Sequence, residues 1–264
     1  VRVHALIARL TFRRYVTYRG AMIGGITANT VFGIIQAFIL TAVWRQRPVI
    51  GGYDLSDALT YNFLAQAMIG PMALMSVGLD LPGRVRTGDV ATDLFRPVDF
   101  QMYWLSQDFG RAAFGLVGRG VVPFVVGTLA FRLRIPEDPR VWAAFLLAVA
   151  LGVVVSFAIR YLVALSTFWL LDERGIFGMV NTFTMFFSGM VIPLVLFPAW
   201  LGGLARALPW SSLVQVPADV FLQKRSGSPL LGSYVFELGW AVALLALGRL
   251  VTRTARGKVV AQGG

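Results

Sequence analysis

Long apolar runs separated by short basic stretches are the dominant pattern along this chain. A helix needs about 20 apolar residues to cross a bilayer. Residues 21–44 and 58–79 meet that length without a charge. Residues 112–131 do so around Arg119 and Pro123, residues 141–171 around Arg160, and residues 229–250 around Glu237. A further uncharged stretch is longer than one span needs. Residues 176–196 are predicted as its helix, because Pro198, Pro209 and Pro217 interrupt the chain beyond them. The pattern predicts an all-α polytopic membrane protein of six transmembrane helices, a single domain over residues 1–264. Residues 197–222 also hold Trp200, Trp210, Gly202 and Gly203. They are expected as short helices at, or dipping into, one membrane face. Tryptophan favours the interface, and irregular backbone at membrane depth needs protein or water around it.

Composition agrees. Hydrophobic residues make up 57% of the 264 and charged residues 14%, against about 25% charged in soluble domains; mean hydropathy is +0.71. A soluble fold would expose more apolar surface than soluble monomers tolerate. The net charge of +11 would point to nucleic acid in a soluble protein. Here the basic residues lie between apolar runs, where anionic lipid and topology account for them, so membrane lipid and no nucleic acid is the expected partner. With six spans both termini share a side. Fourteen of the 24 basic residues fall on that side and eight on the other, Arg119 and Arg160 lying within spans. The excess places both termini in the cytoplasm. There is no cysteine, and His4 is the single histidine, which excludes disulfides, thiolate metal sites and cysteine nucleophiles and leaves no catalytic triad. No cleavable signal peptide is expected, since the first apolar run is too long for one.

Two segments outside the spans carry patterns of their own. In residues 1–19, Val3, Leu6, Ile7 and Leu10 form one helical stripe beside Arg2, Arg9 and Arg13. That is the pattern of an amphipathic helix in the inner headgroup layer; a basic flank that merely orients the first span is the simpler alternative. In residues 83–98, GRVRTGDVATDLFRPV, Thr87 is placed to cap a short helix that ends before Pro97. Val90, Ala91, Leu94 and Phe95 would form its apolar face, while Asp89, Thr92, Asp93 and Arg96 would face away. Such a helix suits docking of another protein or rest on the bilayer, and the pattern leaves both open.

The same loop reads basic–x–Gly–acidic, then Leu–x–Arg–Pro–Val, at Arg86, Gly88, Asp89, Leu94, Arg96, Pro97 and Val98. The fifth span continues through Ser188, Gly189, Met190, Pro193, Phe197, Pro198, Trp200, Leu208, Pro209 and Trp210. On these residues the chain resembles, over essentially its whole length, the permease subunit of a bacterial ABC exporter of the type-two class; Asp89 stands where many relatives have Glu. The resemblance implies the membrane permease of an ATP-driven exporter in the cytoplasmic (inner) membrane. It implies a second permease, identical or paralogous, and two copies of an ABC ATP-binding subunit. Residues 83–98 would hold a cytoplasmic coupling helix, with Arg86, Gly88, Asp89, Val90, Leu94, Phe95 and Arg96 at the ATPase. Residues 1–19 would be a second contact, and residues 197–222 an outer re-entrant hairpin before the last span. ATP and Mg would bind the partner ATPase, with no cofactor and no metal in this chain. No G-x-x-x-x-G-K-[ST] occurs, Gly257 and Lys258 being followed by Val259, so the chain is not expected to be an enzyme.

Polar residues inside the spans are the candidates for a pathway. Asn29, Gly33 and Gln36 share a helical face, Asn62 and Gln66 are four apart beside Tyr61, and Asn181, Thr184 and Ser188 share a third face. Asn29, Gln36, Asn62, Gln66, Asn181, Thr184 and Ser188 are the candidate substrate pathway for an amphipathic or hydrophobic, drug- or antibiotic-like molecule. Interhelical hydrogen bonding is the competing role. Gly20-x-x-x-Gly24 permits close helix approach. Arg119 is near a span end and can snorkel. Arg160 and Glu237 fall at similar depth and are expected to form an intramembrane ion pair, since membrane charges pair with one another. The alternative function is an ATP-independent secondary transporter or channel. It needs ion-coupling acids or histidines within spans, for which Glu237 alone is thin support.

Overall fold

The computed structural model describes residues 2–75, 78–170 and 174–257. Leu171, at the end of the fourth apolar run, and Lys258 of the basic tail lie outside the described residues, as do the side chains of Arg19 and Ala21. Among the described residues the protein is all-helical, without a strand. Helix α1 (Arg2–Val16) breaks at Thr17 and Tyr18 from α2 (Arg19–Gln46). Helix α3 (Leu55–Met72) opens on a reciprocal cap in which Asp54 Oδ1 accepts from Asp57 N at 2.8 Å and Asp57 Oδ2 from Asp54 N at 3.1 Å. Short helices α4 (Leu81–Thr87) and α5 (Val90–Leu94) come after it. Helix α6 (Phe100–Phe114) runs through a π-helical turn, Gly115–Gly120, into α7 (Val121–Ala130). Helices α8 (Pro139–Leu165) and α9 (Arg174–Phe187) come next. Then α10 (Ala199–Ala207), a 3₁₀ turn at Pro209–Leu213 and α11 (Gln215–Phe221) lead into α12 (Ser228–Arg256).

Among the described residues, four helical stretches are long and apolar enough to cross a membrane: Met22–Gln46, Phe100–Ala130, Pro139–Phe168 and Ser228–Arg256. The two other expected spans form shorter helices. α3 stops at Met72, with Pro71 in its last turn and Ala73 left-handed at φ 54°, instead of running to residue 79. Its side chains are buried almost throughout, so its surroundings are protein and it carries Asp57, Asn62 and Gln66 without meeting lipid. α9 has 14 residues, about 21 Å, and ends ahead of Gly189 at φ +83° rather than at residue 196. The third span starts earlier than residue 112, at Phe100, and the fourth becomes 3₁₀ after Leu165. α8 is the central post, with 56% of its apolar window buried against 22% for α2 and 17% for α12.

The bundle has two distinct ends. At one, the turns after α2 and α7 and the segment before α12 meet: Arg134 pairs with Asp54 at 2.5 Å and Asp57 at 2.9 Å, and Lys224 with Asp57 at 2.6 Å. At the other lie α1, α4, α5 and the start of α6. The residues expected to form a re-entrant segment are broken into short helices, and from Ser211 to Leu222 they are buried. Their irregular backbone is thus surrounded by protein, as membrane depth would require.

α1 forms where expected and packs on α6 through a face other than its apolar stripe. His4 Nδ1 lies 2.8 Å from Ser106 Oγ, and the Phe12 and Tyr15 rings sit 6.0 and 5.9 Å from Phe114. Val3, Leu6 and Leu10 are more than half exposed. The cause is Gly110, whose bare Cα lets α6 touch the Ala8 and Thr11 side of α1; a Cβ there would lie 2.1 Å from the Ala8 carbonyl oxygen. The Gly20-x-x-x-Gly24 face, by contrast, meets nothing within 4 Å. Gly110→Val is therefore expected to lift α1 off α6, lowering the thermal midpoint and speeding tryptic cleavage at Arg13 and Arg14. Unchanged cleavage and melting would contradict this packing.

Candidate functional site

The loop between α3 and α6 is built to display one side chain. Gly88 ends α4 in the left-handed region at φ +80°, which glycine adopts without strain. The chain then reverses into α5. Val90 is buried in one apolar cluster with Leu81, Phe100, Trp104, Phe157, Tyr161 and Leu165. Asp93 is 3% exposed. It is held by Arg84, whose Nη2 is 3.0 Å from Asp93 Oδ1, and by Arg96 at 3.0 Å. The hydrogen bond to Asp93 raises the Arg84 pKa further above its ordinary value. Arg96 also sits 4.6 Å over the Tyr103 ring. Phe95 is 88% exposed.

These facts correct the expected face of the loop helix. Thr87 ends α4 rather than capping α5, and its hydroxyl donates to Asp89 Oδ2 at 2.8 Å. Asp93 points inward and Phe95 outward, because two arginines pull the carboxylate in and a five-residue helix has no complete apolar stripe to oppose them. Val90 is buried, Leu94 half-buried, and Arg86 and Asp89 exposed.

Next to this loop lies a charged cluster that sequence reasoning missed. Asp108, 2% exposed, accepts from Arg160 Nη2 at 2.6 Å and Nη1 at 3.2 Å, and from Arg111 Nε at 2.7 Å. Arg111 also donates to the Gly70 and Pro71 carbonyls at 2.7 and 2.8 Å. The expected Arg160–Glu237 pair does not form. Arg160 is taken by Asp108, which precedes the apolar run from residue 112 and so lies outside the expected span. Glu237 is fully buried, with neither carboxylate oxygen hydrogen-bonded.

Four of the candidate pathway residues come together between α2 and α3. Asn62 donates to the Gly33 carbonyl at 2.8 Å, Asn29 to the Gln66 carbonyl at 3.4 Å, Gln66 to Gln36 Oε1 at 3.0 Å, and Gln36 to the Val191 carbonyl at 3.2 Å. Asn181 and Thr184 instead line a small cavity beside Ser156, Arg160 and Phe177. Ser188 is buried and accepts from Met190 N at 3.3 Å. At the far end a second unpredicted network locks residues before α12. The Tyr53 hydroxyl donates to Asp219, Gln215 donates to Asp219 at 2.8 Å, and Gln215 Oε1 accepts from Leu194 N at 3.1 Å. Burial, then the Asp219 carboxylate, pushes the Tyr53 phenol far above its ordinary range, so it stays a donor. No local pattern announces contacts between residues so far apart in the chain.

A helical bundle with spanning apolar helices and a charged loop at one end is a multi-pass membrane protein. A family model described as ABC-2 family transporter protein matches residues 30–263, and the chain belongs to that family. It is therefore a permease, the membrane component of an ABC transporter. The match includes the loop and the Asp108 cluster but not α1. None of the curated proteins compared with the chain matches it.

The two buried charges separate experimentally. Arg160→Met strands part of Asp108 and is expected to cost about 3 kcal/mol, the low end for a broken buried pair because Arg111 remains. Glu237→Gln removes a carboxylate without partners and should leave the thermal midpoint unchanged or raise it. The two changes should be additive within about 0.5 kcal/mol in a double-mutant cycle. A larger coupling would restore an Arg160–Glu237 pair.

Proposed function

We propose that the protein is the permease subunit of an ATP-driven exporter of the bacterial inner membrane, with both termini cytoplasmic. Its α4–α5 loop docks on a partner ATPase that carries ATP and Mg. The observation that carries this reading is Phe95, displayed at 88% exposure just after a buried Val90 and a clamped Asp93. Burying such a ring stabilises a complex by about 1.5–3 kcal/mol, and the prefixed backbone lowers the entropy lost on docking. The exposed Val3, Leu6 and Leu10 stripe supports α1 as an interfacial helix at the same end.

In this reading α3 and α9 are the second and fifth of six crossing elements, and residues 197–222 are the outer hairpin. Two permeases, identical or paralogous, meet on two ATPase copies. Their pathway runs past Asn29, Gln36, Asn62, Gln66, Asn181, Thr184 and Ser188. α9 presents Met179, Phe183 and Phe186 to its surroundings beside Asn181, which supports an amphipathic or hydrophobic, drug-like substrate. No covalent chemistry is needed from this chain: ATP binding in the partner biases two arrangements of the helices.

Phe95→Asp tests the reading when the permease is co-expressed with an ABC ATPase that co-purifies with the parent chain. ATPase recovered with the permease should fall at least about tenfold, the loss of about 1.4 kcal/mol or more, with the permease's thermal midpoint unchanged. Phe95→Leu should keep most of the binding. Full recovery of the ATPase with Phe95→Asp would refute the docking assignment, and transport without any ATPase would favour a secondary transporter.

A further inference from the structure

Arg119 is a spanning charge that neither the Asp108 cluster nor the loop accounts for. It sits in the π-helical turn between α6 and α7, a geometry that recurs at functional sites. Its Nε is buried without a hydrogen-bond partner, and its guanidinium makes no ion pair among the described residues. The group lies flat against Gly25 of α2: a Cβ on Gly25 would come within 2.0 Å of Nη2 and 2.4 Å of Nε. The glycine is thus a seat that holds the guanidinium beside a cavity of about 180 Å³. An adjoining space shares Arg14, Tyr15, Asp80, Phe114 and Arg119 with it and opens toward Tyr18 and Met22.

Among the described residues, the charges around this cavity do not balance. Arg14, Arg111, Arg119 and Arg160 line it against Asp80 and Asp108. Arg111 and Arg160 are consumed by Asp108 and by backbone carbonyls. Arg14 reaches Asp80 only at 3.9 Å, with both side chains well exposed. Donors of Arg119 and Arg14 are therefore left for a ligand. A buried donor without a partner is costly, and a charge-assisted bond to an anionic oxygen removes that cost. Depth agrees with a headgroup. From Gly25 to the exposed, charged Arg45 the helix rises about 30 Å, close to the roughly 30 Å of a hydrocarbon core. With Arg45 at one interface, Gly25 and Arg119 stand at the other, on the face that carries α1.

We propose that this cavity is a binding site for an anionic phosphate group, with Arg119 and Arg14 as its charged partners, open to an anionic lipid headgroup or a free phosphate. Basic pockets between membrane helices bind such headgroups. The site is an addition to the exporter reading and needs no ATPase.

The test is thermal unfolding of the full chain, in the assembly in which it purifies, in neutral detergent at fixed ionic strength. Short-chain phosphatidylglycerol, short-chain phosphatidylcholine and inorganic phosphate are titrated separately. Phosphatidylglycerol is expected to raise the midpoint saturably, and phosphatidylcholine to raise it far less. A rise with inorganic phosphate as large as that with phosphatidylglycerol assigns the site to a free anion; a rise with phosphatidylglycerol alone assigns it to lipid. Without ligand, Arg119→Gln should melt no lower than the parent, because it removes an unpartnered charge, and it should weaken the phosphatidylglycerol response about tenfold. Gly25→Leu, which unseats the guanidinium, should do the same, and Arg14→Gln, at an exposed position, should weaken it about threefold. The proposal is overturned if no phosphate ligand shifts the midpoint, if phosphatidylcholine acts equally, or if the response survives these substitutions.

Discussion

Asp108 is a carboxylate with almost no exposed surface, held between arginines that approach from α6 and α8. A buried acid of this kind is tolerable only when paired and hydrogen-bonded, so the two guanidiniums fix each other through it. Arg111 then reaches the last carbonyls of α3, at Gly70 and Pro71. Carbonyls of a helix's last turn have no regular partner further along it; the Gly70 carbonyl accepts from the capping Ala73 N at 3.2 Å as well as from Arg111, and left-handed Ala73 ends the helix where the arginine can reach both. One carboxylate thereby ties α3, α6 and α8 at a single level. Below it Val90 and Leu81 of the loop share one buried cluster with Phe157, Tyr161 and Leu165 of α8, which seats the loop on the same central post.

The opposite end is fixed by different means. Tyr53, Gln215 and Asp219 bond together, and Arg134 and Lys224 both converge on Asp57. These contacts hold a proline-broken segment that has no regular ladder of its own. Between the two rigid ends stands α9, short and largely exposed along Ile176, Met179, Phe183 and Phe186.

The apolar runs made α2, α8 and α12 legible, because lipid-length helices announce themselves by the absence of charge. They overran α3 and α9, whose helices end at Met72 and Phe187; α3 is wrapped in protein, which hydropathy does not tell from lipid. Asn62 and Gln66 are tolerated in α3 for that reason. Arg160's partner was hidden because Asp108 lies just ahead of the apolar run, leaving Glu237 as the only acid in view. In the loop, helical periodicity grouped Phe95 with Val90 and Leu94 on one apolar face and turned Asp93 away from it; over five residues the pull of Arg84 and Arg96 on Asp93 outweighs that pattern, burying Asp93 and Val90 and leaving Phe95 exposed. The motif residues themselves were visible, and Gly88 has the left-handed geometry that such a turn demands. The network at Tyr53 joins residues more than 160 positions apart, which no local pattern can foretell.

The absence of cysteine makes one measurement decisive for the claim that the loop end meets the ATPase. Single cysteines are placed at Phe95, on the loop, and at Val49, exposed at the other end. Each is joined to a photoactivatable cross-linker in membranes that contain the ATPase. Phe95→Cys is expected to yield an adduct of permease and ATPase mass, and Val49→Cys none. An adduct from Val49→Cys, or none from Phe95→Cys with the ATPase bound, would contradict the account.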